Sequence, residues 1–426
     1  MAALAQACPP IEVAKLLPSG DYRISRFGSS VAAEGNLLVV GTPFASNRGG
    51  AYLFDMRTGE QISDLTTNRS GIFGWYGHAV DIDGGAIVVG AFRDPRNGQN
   101  AGAAFVFRHP AERIVSLYPL DAREEQAFGR SIAIDDGVVA VGAPWDNDNG
   151  DNAGAVYLFD ANTGLQLMKL KPQDGFEGDI FGESVALENG VLAVGAISDD
   201  DNGSNSGSVY LFDVSTGEEL HKLAPADGIA FSYFGRSVAI DGDLVAVGAE
   251  RDDDFGSLSG SVYLFDIDSG AQTAKLNPDD ASTTRFFGES IAFEDGLLAA
   301  NGFSPSTANL AGVVYLFDAA SQSQIARIEA SDGEEDDRFG QSLCIDSGWL
   351  YVGADGDDDV ADESGAVYSI KLRPADVNND GQSTPADFSA WIDAFNNSFP
   401  LCDQNGDGAC TPTDFTAWIA NFNSGC

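Results

Sequence analysis

Positive charge is scarce in this sequence. Only 23 of its 426 residues are Lys or Arg, against 65 Asp and Glu, a formal net charge of −42. A field of that sign repels phosphate backbones and anionic lipid, so neither nucleic acid nor a membrane surface is expected as a partner. Long apolar runs are missing too: none approaches the ~20 residues of a helical membrane span. Histidine is rarer still. His78, His109 and His221 lie far apart, and His78 and His221 have no nucleophile beside them. There is no Gly-x-Ser-x-Gly elbow, no phosphate-cradling glycine loop and no zinc spacing. Carboxylate pairs for glycoside chemistry abound in so acidic a chain, but nothing singles one out. The chain reads as non-enzymatic.

Cysteine is also sparse, at five: Cys8, Cys344, Cys402, Cys410 and Cys426. That number suits an oxidising compartment and leaves one thiol unpaired. Three crowd the end of the chain, where at least one bridge is expected, whereas Cys344 is expected to be a buried free thiol. Ala5-Gln6-Ala7 has the small residues that end a secretory signal. Residues 1–10 are therefore read as the remnant of such a signal or as a disordered start, and the protein as secreted or cell-surface-associated.

What the chain does have is repetition. Phe-Gly recurs at Phe27, Phe128, Phe181, Phe234, Phe287 and Phe339, with a degenerate Tyr76-Gly77. A period near fifty residues marks a repeat architecture. In the unit 128–170, an alternating segment (Ser131–Asp135) turns at Asp136-Gly137 into an apolar run (Val138–Ala143). A variable loop, Ala155–Asp160, a Thr-Gly turn and a last apolar stretch ending at Leu170 follow. Four short antiparallel strands per unit describe a propeller blade, and seven openings predict seven blades. The seventh unit stops after three strands. Ile11–Leu17 matches a fourth strand, so the N-terminal segment is expected to complete the last blade and close the ring. The serines Ser30, Ser131, Ser184, Ser237, Ser290 and Ser342 recur in six blades, which argues for a structural hydroxyl.

Phe-Gly-x-Ser-[Val/Ile]-Ala followed by Val-Gly-Ala-Pro at Val141–Pro144 resembles the FG-GAP repeat of integrin α-chain propellers and secreted bacterial proteins. The resemblance spans roughly 11–373 and implies an all-β, seven-bladed β-propeller with a binding or adhesion role. The calcium loop of that family, between the first two strands, is absent here, so no ion is carried over to it.

Tight turns are expected on one face of the ring and long loops on the other. The long 2–3 loops are acidic, as at Trp145–Asn152, Ser198–Asn205, Arg251–Ser257 and Asp355–Glu363, and so are the connections Gln173–Asp179 and Ser331–Asp337. Such loops suit further Ca²⁺ ions, and equally suit solvated turns. Variation concentrated on one face marks it as the binding face, for an unknown protein or polysaccharide ligand.

Beyond Arg373-Pro374 the composition changes. DVNNDGQSTPAD and DQNGDGACTPTD each place oxygen ligands at EF-hand-type positions. The expected Ca²⁺ ligands are Asp376, Asn378, Asp380, the Gln382 carbonyl and Asp387 in the first loop. In the second they are Asp403, Asn405, Asp407, the Ala409 carbonyl and Asp414. Phe388, Trp391, Ile392 and Phe395 recur as Phe415, Trp418, Ile419 and Phe422, on one helical face after each loop. Two such units must pack on each other to bury a core.

The duplicated loop–helix unit and the Gly-Cys ending resemble a GC-type dockerin, which makes residues 374–426 a small α-helical, EF-hand-like domain. The resemblance implies calcium-dependent docking to a cohesin-type or cell-surface partner. Pro385-Ala386 and Pro412-Thr413 depart from the residues that cohesin usually reads. The alternative to a binding protein is a polysaccharide-acting hydrolase or lyase carried on the same anchor.

Overall fold

The computed structural model describes residues 10–18, 24–45, 49–65, 74–109, 112–303, 311–372, 385–397, 402–404 and 410–424. Seven four-stranded antiparallel sheets follow one another along the chain. Blade three is typical: Ile132–Asp135, Val138–Ala143, Ala155–Asp160 and Gln166–Leu170 pair in that order. The second and third strands are apolar on both faces because each sheet is covered by a blade on either side. The core lies between blades, where Val88 and Val106 of blade two pack with Val139, Val141 and Tyr157 of blade three.

The Phe-Gly pair explains the period. Phe128 is fully buried and packs edge-on against Tyr157 and Phe159, with centroids at 5.6 and 5.7 Å. Gly142, in the second strand, lies against the next blade, and a Cβ there would sit 2.1 Å from the Gly182 carbonyl oxygen. The recurring serines tie the same junctions. Ser30, Ser131, Ser184, Ser237 and Ser342 donate to the carbonyls of Gly77, Gly182, Gly235, Gly288 and Gly28, at 2.7–3.0 Å. Each bond runs from one blade to the Phe-Gly glycine of the next, so the hydroxyl is structural, as its recurrence indicated.

The ring closes as expected. Ile11–Leu16 is the fourth strand of blade seven, antiparallel to Ala366–Lys371, with Lys15 opposite Tyr368. Ser342 to Gly28 and the bridge of Phe27 to Gly365 make the seventh junction like the others. Cys344, on the first strand of blade seven, is a free, half-buried thiol.

Two helices follow, α1 (Pro385–Asn397) and α2 (Pro412–Ser424). They pack through their duplicated aromatics: Phe388 lies 5.3 Å from Trp418 and 5.4 Å from Phe415. Trp391 and Trp418 are buried, while Ile392 and Ile419 are 40% and 39% exposed. The expected bridge joins Cys402 to Cys410; Cys8 and Cys426 lie outside the described residues. Among the described residues no helix is long and apolar enough to cross a membrane.

Candidate functional site

The acidic loops are organised around lysines. In blade three, Lys169 Nζ on the fourth strand lies 3.0 Å from Asp146 and 2.7 Å from Asp121, and also contacts Asp148. Tyr157 donates its hydroxyl to Asp146 at 2.9 Å. Blade four repeats this with Lys222, Asp174, Asp199, Asp201 and Tyr210, and blade five with Lys275, Asp227, Asp252, Asp254 and Tyr263. In blade seven the lysine is Lys15, set among Asp332, Asp357 and Asp359 beside Tyr368. One aspartate of each cage is almost wholly buried: Asp146, Asp199, Asp252 and Asp357. Burial alone would lower the pKa of Lys15, but its bonds to Asp357, Asp359, Tyr368 and Asp332 outweigh that and raise it.

Asp121, Asp146 and Asp148 bring three carboxylates within metal-ligating reach of one another. An ammonium already occupies the centre of that group. Blade six uses Arg327 on Asp280 at 3.3 Å. Blade two folds Arg96 of its own loop back onto Asp94 at 2.5 Å.

Inside this belt is the mouth of the central channel, a depression of about 680 Å³. Blades three to seven line the depression, largely through positions beside each Phe-Gly that every blade has but fills differently. The residue before each Phe-Gly takes a left-handed backbone: Arg26, Trp75, Ala127, Ile180, Tyr233, Phe286 and Arg338 have φ between +50° and +59°. The residue after it is Ser29, His78, Arg130, Glu183, Arg236, Glu289 or Gln341. An unvarying, strained scaffold thus presents six kinds of side chain at the first level and five at the second.

The two halves of the mouth differ in chemistry. Over blades one to three it is aromatic: Trp75 lies 4.6 Å from Phe44 and 5.3 Å from Phe92, and the Arg93 guanidinium covers Trp75 at 4.4 Å. Burial, with Arg130 nearby, drives the pKa of His78 well down, so its imidazole is neutral. From blade three to blade six charges alternate. Arg130 binds Glu183 at 2.6 Å, and Arg236 reaches Glu183 at 3.1 Å and Glu250 at 3.3 Å. Burial raises the Glu289 carboxyl, partly offset by Arg236.

The tight-turn end carries a carboxylate from every blade: Glu34, Asp83, Asp135, Glu188, Asp241, Glu294 and Asp346 each end a first strand. Glu34 accepts from the amides of Gly84 and Gly85, Asp241 from Gly296 and Glu294 from Ser347, each on the next blade. Recurrence in all seven blades makes this structural. Burial pushes Glu294 up to about 7, with Asp346 and Asp295 adding repulsion. Asp81 stands where other blades carry a small residue and is likewise pushed up to about 7 by burial.

Of the expected calcium ligands, Asp387, Asp403 and Asp414 are described. Asp376, Asn378, Asp380, Gln382, Asn405, Asp407 and Ala409 lie outside the described residues. Asp387 and Asp414 occupy the same place in the first turns of α1 and α2, fully buried, with Asp403 at 6% exposure. Asp414 accepts from the amides of Gln404 at 2.9 Å and Thr411 at 2.7 Å. Buried carboxylates at matching places after two acidic loops are the donor chemistry of a hard cation, and these residues fit Ca²⁺.

The FG-GAP repeat family matches residues 11–54, 71–107, 112–159, 165–212, 218–265 and 322–370, well over half of the chain. Within the propeller the longest unmatched stretch, residues 266–321, takes in the first three strands of blade six. There Asn301 replaces the glycine of the second strand and turns its side-chain oxygen to the Ser290 amide at 2.8 Å. No curated protein matched the chain.

Proposed function

Because the chain belongs to the FG-GAP repeat family, we propose that it is a secreted, non-enzymatic binding or adhesion protein whose ligand enters the channel mouth on the long-loop face. One observation carries this reading. The mouth is where blades otherwise alike differ most, and it opens into a depression of about 680 Å³ with aromatic, cationic and acidic walls. Sites of that size and mixed lining suit a peptide loop or a few sugar units. The test is binding of a glycan and extracellular-protein panel by the whole chain and by a Tyr233→Ala, Arg236→Ala variant. Binding by the wild type that the variant lacks supports the reading; equal binding by both refutes it.

In the same reading residues 374–426 are a dockerin-like anchor for a cohesin-type or cell-surface partner. Ca²⁺ would be held there by Asp387, Asp403, Asp414 and the other loop ligands, and would supply charge neutralisation for these buried carboxylates. The equivalent, exposed Ile392 and Ile419 offer such a partner a paired apolar contact. Capture of cohesin-type proteins by the whole chain should fail with chelator and in an Asp387→Asn, Asp414→Asn variant. Undiminished capture would refute the anchor.

The hydrolase or lyase reading draws on Glu289, raised by burial and lining the same depression as Glu183 and Glu250. Reducing ends released by the wild type and not by Glu289→Gln would favour it.

A further inference from the structure

Three phenylalanines project from the acidic rim of blades four and five, outside the channel mouth. Phe176 is 69% exposed, Phe231 56% and Phe255 51%. Asp227 and Asp254 both bind Lys275 Nζ. Phe231 follows Asp227 by four residues and Phe255 follows Asp254 by one, so both loops that carry these rings also supply that cage. Phe176, two residues after Asp174, flanks the Lys222 cage one blade earlier.

Each ring is carried by a hydrogen-bonded backbone. The Phe176 amide donates to Asp179 Oδ2 at 2.6 Å and that of Phe231 to the Ser204 carbonyl at 2.7 Å. Beside Phe255, the Gly256 amide donates to the Asp253 carbonyl at 3.0 Å. Phe231 bears a second mark. Its φ is +66°, where a bulky side chain is an outlier, and the same place before other blades holds Ile24, Glu125, Gly178 or Asp336. Leu258, at φ +62°, likewise stands where blades three and four have Asn152 and Asn205. Among the described residues, blade five alone carries an apolar residue at both turn positions, and blade one shares the first through Ile24.

Strain that keeps an aromatic ring in water brings the fold nothing, and aromatic anchors in a polar rim are how protein interfaces concentrate affinity. The surrounding charge sets the partner's sign. Each cage places three carboxylates against one ammonium, and Asp200 and Asp253 add exposed acid. We propose that this rim is a second docking surface, for a protein whose own face is basic and offers apolar pockets to Phe176, Phe231 and Phe255. The −42 field of the whole chain would steer such a partner inward.

Two experiments on the whole chain test this. Phe231→Gly removes the ring and relieves its backbone, so Tm should rise by roughly 1–3 °C; a lower Tm would mean the ring serves folding and would overturn the proposal. The binding probe is an amphipathic Lys/Leu helical peptide, with poly-lysine of equal charge as control. The wild type should bind the amphipathic peptide at least about tenfold more tightly. The F176S/F231G/F255S variant should lose that margin and keep its poly-lysine binding. An unchanged margin overturns the proposal. So does partition onto neutral lipid vesicles that needs the three rings, if the peptide margin is absent, because the surface would then be lipid-directed.

Discussion

Lys15 Nζ lies 2.7 Å from Asp357 Oδ2, joining the first strand of the chain to the last loop of its propeller. Blades three, four and five make the same contact within themselves, through Lys169, Lys222 and Lys275. The closing blade is thus completed by the chain's other end in its ionic interior as well as in its hydrogen bonds.

Replacing Lys15 by Met leaves Asp357 buried without its counter-charge. The expected loss is on the order of 3 kcal/mol, read from the urea midpoint. Lys222→Met should cost a similar amount. An effect of Lys15→Met below about 0.5 kcal/mol would place this cage with surface ion pairs.

Removing one of the junction hydroxyls should be felt but survivable. Ser184→Ala leaves the Gly235 carbonyl without its 2.7 Å donor, at a cost of about 1 kcal/mol, measured by thermal unfolding. Ser215, whose hydroxyl bonds only locally to Asp213 on an exposed turn, serves as the control, with a loss below about 0.5 kcal/mol on the same substitution.

Two groups of carboxyls should shape the pH profile in opposite senses. Asp81 and Glu294 have folded pKa values of about 7, above the unfolded ones. Their ionisation opposes folding: the penalty is absent below about pH 4, grows as pH rises and is complete above about pH 7. Asp121, Asp174, Asp227 and Asp332 would be raised by burial, but their lysines hold them below the usual range. Their support is complete above about pH 4 and is lost as pH falls further. Tm should therefore peak at roughly pH 4–6 and decline towards pH 8. Glu294→Gln, which keeps an oxygen for the Ser347 amide, should flatten that decline. An unaltered slope would contradict the assignment.

Chelation of calcium should unfold the C-terminal module alone. Helical ellipticity and the near-ultraviolet signal of Trp391 and Trp418, which pack against Phe395 and Phe422, are expected to fall. Restored Ca²⁺ should recover both, with the propeller's melting transition unmoved. Signals indifferent to chelator would mean that the buried Asp387 and Asp414 hold no ion.

The ring was legible because its determinants are local and repeated. Phe-Gly sets the period, apolar runs give the strands, and a seventh unit lacking a fourth strand points to Ile11–Leu17 as the missing piece. The cages were present in the sequence but unread. Asp174, Asp199, Tyr210 and Lys222 recur at the same offsets as Asp227, Asp252, Tyr263 and Lys275. Seeing them requires treating Lys and Asp residues dozens of positions apart as one group, and taken singly the acidic loops read as metal ligands or solvated turns. The mouth was hidden for the opposite reason. Trp75, Arg130, Tyr233 and Glu289 stand beside the repeated Phe-Gly but change identity from blade to blade, and only the superposition of blades shows them as one surface. In the C-terminal module the helical periodicity located the pairing face, but it also assigned Ile392 and Ile419 there, and both are partly exposed.

Hydrogen exchange over residues 11–16 in the intact protein tests the closed ring most directly. Protection matching that of Gln166–Leu170, the equivalent strand of blade three, is expected, with loss of protection at 11–16 alone in Lys15→Met. Exchange of 11–16 at the rate of a free peptide in the unmodified chain would contradict closure, and with it the assignment of every long loop to one face.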